Sequence, residues 1–252
     1  MGNVDQIASF NIARLESDKV IRLFDEVTSY VPGIRIEVVP SRRGPVRGEQ
    51  HPASTIGLTH ERLTVQFASS LDREQRIDAI AHEFGHILLL YRFGLGVVGR
   101  RIPPPGDSEE VFRYFMSMNR NWFYLLGQVA NTAHHCILID YLKEEYGIES
   151  HLHPRLLEHN FRIIAREHSE DEESLYAKGI IAFEYERLIG EMDRSINAFG
   201  QTESFWEAYH AAEEHFGGYS FHSIPSPAAY KESVLSFLED LGYKREDFIF
   251  LP

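Results

Sequence analysis

Apolar side chains recur through residues 11–30 at Ile12, Leu15, Val20, Phe24 and Val27, a spacing that predicts an amphipathic helix. Pro32-Gly33 stops it. The run Ile34-Arg35-Ile36-Glu37-Val38-Val39 alternates and is β-branched, so it predicts a strand. Residues 40–54 are rich in Arg, Gly and Pro and predict an exposed loop. Two more short strands are expected over 55–58 and 63–68, with Thr59-His60-Glu61-Arg62 as their turn.

The strongest helical signal follows. Asp72 is a good N-cap, and Gln75 three residues later completes a capping-box pattern. Ile77, Ile80, Ala81, Phe84, Leu88 and Tyr91 then repeat at helical spacing until Gly94 and Gly96. Pro103-Pro104-Pro105-Gly106-Asp107 breaks the pattern. From there the chain reads as helices over 109–118, 121–146, 154–168, 172–199, 202–216 and 228–241. This order predicts an α+β fold: a small, mostly antiparallel sheet packed on one helix, followed by a mainly helical region. The expected division is 1–150 as a metal-binding catalytic domain and 151–252 as a helical extension, or one continuous domain.

Composition narrows the partners. The formal net charge is −13, which argues against nucleic acid or an anionic membrane surface, since both call for a basic footprint. The single cysteine, Cys136, allows no intrachain disulfide and fits a reducing compartment. The first residues lack a basic flank followed by an apolar stretch, and the apolar run at 87–91 is too short to cross a bilayer. The expectation is a cytoplasmic protein.

The chemistry concentrates in Ala81-His82-Glu83-Phe84-Gly85-His86, which contains His-Glu-x-x-His. Residues four apart on a helix project from one face, so His82 and His86 can direct imidazole nitrogens at one zinc ion. Glu83, next to the first ligand, is placed to act as general base on a water activated by that ion. Gly85 keeps this face small enough for a substrate or a second helix to approach.

These residues resemble the zincin superfamily of metallopeptidases, over about residues 34–145, and the compact strand–strand–helix order is similar to small cytosolic zincins of the ImmA/IrrE type. The resemblance implies cleavage of a peptide bond in a peptide or protein substrate. It also implies that the strand Leu63-Thr64-Val65-Gln66-Phe67 is the edge strand that pairs with an extended substrate. The longer metzincin pattern with a third His after His86 is absent, and so is the thermolysin-like Asn-Glu-x-x-x-Asp helix.

The third ligand therefore has to come from elsewhere. His135, in Val129-Ala130-Asn131-Thr132-Ala133-His134-His135, shares a helical face with Asn131, Leu138 and Leu142 and is expected to point inward. Glu110, beside Glu109, is the alternative, as in glutamate-type zincins; Asp140 is a weaker one. His135 is favoured, and a core histidine bonded to backbone is its bland reading. Cys136 reads as a small buried hydrophobe, His151 and His153 as a loop feature, and His210 and His215 as solvated. Trp122 and Phe205-Trp206 read as core. Two rivals keep the metal: a zinc hydrolase acting on another amide, and a non-catalytic regulatory or interaction protein.

Overall fold

The computed structural model describes residues 11–41, 53–56, 62–101, 120–164, 171–190 and 202–251. Their architecture is α+β, with seven α-helices and two small sheets among the described residues. The helix expected over 109–118, the Pro-rich turn and Glu110 lie outside them. Contacts divide the chain into two units, one comprising residues Met1–Arg92 and Leu138–Leu156, the other Phe93–Ile137 and Leu157–Pro252.

The first unit opens with a 3-10 turn, Ile12–Leu15, and helix α1, Asp18–Tyr30. One continuous helix was expected here. Glu16 instead adopts a left-handed conformation with φ of 50°, which ends the turn, and Ser17 starts α1 as its N-cap. Arg73 holds the break, donating from Nε to the Leu15 carbonyl at 2.9 Å and from Nη2 to the Glu16 carbonyl at 2.8 Å.

Strands β1 (Arg35–Ser41), β2 (Ala53–Ile56) and β3 (Arg62–Ala68) form one sheet in the order β1-β3-β2. The β2–β3 pair is antiparallel, with Thr55 opposite Val65, whereas β1 and β3 run parallel, with Val38 opposite Val65. The sheet is thus mixed rather than mostly antiparallel. It also corrects the role expected of residues 63–67. They occupy the central strand, so the ladder bonds on both sides of β3 go to β1 and β2 and leave no edge for an extended substrate. Alternation along β3 buries Leu63, Val65 and Phe67.

Helix α2, Arg73–Tyr91, carries the histidine motif, and its start is the capping box read from the sequence. Asp72 accepts from the Gln75 amide at 2.9 Å, and the Gln75 side chain accepts from the Asp72 amide at 3.1 Å. Ile80, Phe84 and Leu88 are fully buried along one face, and Phe84 packs against Phe24 of α1 with ring centroids 5.5 Å apart. This burial is what holds the motif's other face steady.

Helix α3, Arg120–Tyr146, and helix α4, Leu152–Ile164, each give turns to both units. In the first unit α3 meets α2 at Gly85. A Cβ built there would collide with Leu138 Cδ1 and lie 3.3 Å from its Cγ and 3.5 Å from Leu142 Cδ2. A glycine at this point lets the two helices touch backbone to side chain.

The second unit holds α5 (Glu172–Ile189), α6 (Glu203–Phe216), α7 (Pro227–Asp240) and a two-stranded sheet of β4 (Val97–Arg100) and β5 (Phe248–Leu251). The sheet was not anticipated: residues 97–100 pair antiparallel with 248–251, a partnership no local pattern announces. α5 stops sooner than the expected 199, at Gly190, whose φ of 116° is open chiefly to glycine. Among the described residues no helix is long and apolar enough to cross a membrane.

Candidate metal centre

The motif face of α2 is half-buried at His82, Glu83 and His86, in contrast to the sealed face around Phe84. The helical spacing brings the two histidines together as expected. Their rings stand edge to face with centroids 4.8 Å apart, and their Nε2 atoms are 3.1 Å apart. Two imidazole nitrogens bound to one tetrahedral zinc at 2.0–2.1 Å are about 3.3 Å apart, so the pair is already spaced close to what a shared ion needs.

One turn before His82, Asp78 is buried at 5 % exposure. Its carboxylate accepts from Ser150 Oγ at 2.9 Å and from the amides of His151 and Leu152 at 2.7 and 2.6 Å. It therefore caps the N-terminus of α4 from outside that helix, where a negative charge is favoured. This anchorage sets His153, the second residue of α4, with its ring stacked on His82 at 5.1 Å between centroids and 20° between planes. The sequence pointed to a loop feature at His151 and His153. The structure puts His151 in that loop, largely exposed, and His153 on the helix beside the motif.

In the second unit the neighbouring His134 and His135 are both buried but do different work. His134 Nε2 donates to the Leu95 carbonyl at 2.9 Å, and complete burial lowers its pKa to about 4, so it stays neutral. His135, at 7 % exposure, places Nδ1 2.7 Å from Glu184 Oε1. The other carboxylate oxygen, Oε2, accepts from the Thr132 hydroxyl. With Nδ1 as donor to the carboxylate, the neutral form of His135 has its lone pair on Nε2, an atom through which an imidazole binds metals.

Each unit thus presents ligand-type groups of its own, His82, His86 and His153 in the first and His135 and Glu184 in the second. Glu184 was missed in the sequence. Its trace was a lone carboxylate in the apolar stretch Ile180-Ile181-Ala182-Phe183, which foretells burial but not a partner 49 residues away. Cys136 fits its bland reading: burial pushes its thiol up to about 12, and it remains protonated. His210 is exposed beside Glu213, and His215 bonds Asp240 at 2.6 Å.

No family model, curated protein or solved structure matches the chain.

Proposed function

We propose that the chain is a zinc-dependent hydrolase of the zincin type that cleaves a peptide bond, with His82, His86 and His135 as ligands and Glu83 as general base. The observation that carries the reading is the convergence of the His82 and His86 Nε2 atoms, 3.1 Å apart on a half-open helical face. Support for His135 comes from the continuity of α3. Leu138, seated over Gly85 of the motif helix, follows His135 by three residues, so the two share a face of one uninterrupted helix. Three imidazoles leave a fourth position for substrate or water, the coordination of a catalytic rather than a structural zinc.

Bound there, zinc supplies a Lewis acid for a carbonyl oxygen and lowers the pKa of a coordinated water to about 7. The remaining work is the chain's. Glu83 accepts the proton of the attacking water and returns it to the departing amine, so that the C–N bond breaks with a neutral leaving group. The reading includes a peptide or protein substrate and a reducing, cytoplasmic setting, the latter supported by the single cysteine.

Elemental analysis of protein isolated from cells tests the metal: about one zinc per chain is expected, lost in His82→Ala/His86→Ala. Full zinc in that double variant refutes the assignment. Glu83→Gln keeps the metal and the fold and abolishes peptide hydrolysis; undiminished turnover sinks the mechanism.

A further inference from the structure

The buried carboxylate of Glu184 is not used by any step above, yet it is built into the second unit with care. It is 2 % exposed, and Thr132, which donates to it, is fully buried. Thr132 and His135 lie three residues apart on α3 and so face the same way. Glu184 arrives from α5 and accepts from both, one on each oxygen. The Thr132 hydroxyl thereby stops the carboxylate from rotating, and the fixed Oε1 stops the imidazole from rotating or changing tautomer.

From this geometry we infer that Glu184, held by Thr132, is the positioning residue of the metal site: it locks His135 with the proton on Nδ1 and makes Nε2 the more basic ligand atom. The inference rests on the metal reading above. Its physical basis is general. A carboxylate accepting the second N–H of a ligating histidine fixes ring orientation and raises ligand basicity, and losing such a partner costs about 10–100-fold in metal affinity. Without it a histidine can place its proton on either nitrogen, and the form with Nε2–H cannot bind until it has moved the proton. His134 shows the arrangement that Glu184 prevents next door, since its Nε2 is committed as a donor to Leu95.

Two measurements test this. The first is nitrogen NMR of the metal-free protein, which reads the tautomer of each histidine directly. His135 is expected to carry its proton on Nδ1, and a parent protein with Nε2–H at His135 overturns the inference whatever the variants do. The second is the affinity for zinc alone, measured by competition with a chromophoric chelator and accompanied by circular dichroism to verify the fold. Glu184→Ala should bind zinc about 10–100-fold more weakly and mix the His135 tautomers. Glu184→Gln keeps an acceptor for Nδ1–H and a partner for Thr132, so it should retain the tautomer and lose less affinity than the alanine variant. A folded Glu184→Ala that binds zinc as tightly as the parent refutes the inference; if it does not fold, Glu184→Gln binding zinc as tightly as the parent does so. The metal reading fails separately, through retention of zinc by His82→Ala/His86→Ala.

Discussion

Leu138 fills the space that a side chain at Gly85 would need: its Cγ would lie only 3.3 Å from a Cβ at position 85, and Cδ1 closer still. Leu138 is itself fully buried, so it has little room to withdraw. Overpacking of this kind costs about 1–3 kcal/mol. Gly85→Ala should therefore lower the unfolding midpoint in urea, and Leu138→Ala, which costs stability alone, should recover part of the loss when combined with it. Strictly additive effects of the two substitutions would show that the helices do not meet here.

The second prediction concerns Asp78, which ties α2 to the start of α4 through its bonds to Ser150, His151 and Leu152. Hydrogen bonds to a charged acceptor contribute about 1.5–3 kcal/mol, and two part-buried amides would lose their acceptor together. Asp78→Ala should destabilise the chain by about 3 kcal/mol, measured by denaturant titration, and Asp78→Asn by less, since one oxygen remains. A change below about 0.5 kcal/mol, typical of a surface site, would contradict the anchoring role.

Local signals in the sequence carried the elements well where the partner was near. Asp72 and Gln75 announced the start of α2 because both halves of the cap lie within one turn. The same holds for the convergence of His82 and His86, which helical spacing alone dictates. What could not be read were relations between distant segments. Alternation along residues 63–67 shows that one face is buried, but not that β1 and β2 flank the strand on both sides. Nothing within residues 97–100 names 248–251 as their partner, and nothing around Glu184 names His135. The break at Glu16 was hidden because apolar spacing runs on through it; Ser17 before Asp18 was the overlooked helix start.

Acid should expose His134. Its folded pKa is depressed to about 4 by burial, against about 6.5 when unfolded. Between those values the unfolded chain binds the extra proton, so stability rises with pH through the window and is fully present above 6.5. On acidification it is lost progressively from pH 6.5 to 4, by about 3 kcal/mol in all. His134→Gln, which keeps a donor for the Leu95 carbonyl, should remove that slope. Metal-free parent and variant compared by denaturant titration at several pH values provide the check; parallel curves from pH 6.5 to 4 would rule the attribution out.

The last prediction sets His135 against Glu110 as third ligand. Glu110 lies outside the described residues, so the case for it is the sequence alone, two acidic side chains in a segment read as helical. The case for His135 is physical. It is buried, its Nδ1 is engaged by Glu184, and it sits one turn from the Leu138 that packs on the motif helix. As a ligand, a neutral imidazole would make the coordinated water more acidic than a carboxylate would, because it brings one negative charge fewer. Changes to a ligand's supporting partner cost about 10–100-fold in affinity, so loss of the ligand itself should cost more. His135→Ala is expected to bind zinc more than about 100-fold more weakly in chelator competition, with the helical dichroism of the parent, while Glu110→Ala binds as the parent does. Loss of zinc from Glu110→Ala alone, with His135→Ala unaffected, would transfer the third position to the glutamate and leave Glu184 as an ordinary partner of a core histidine.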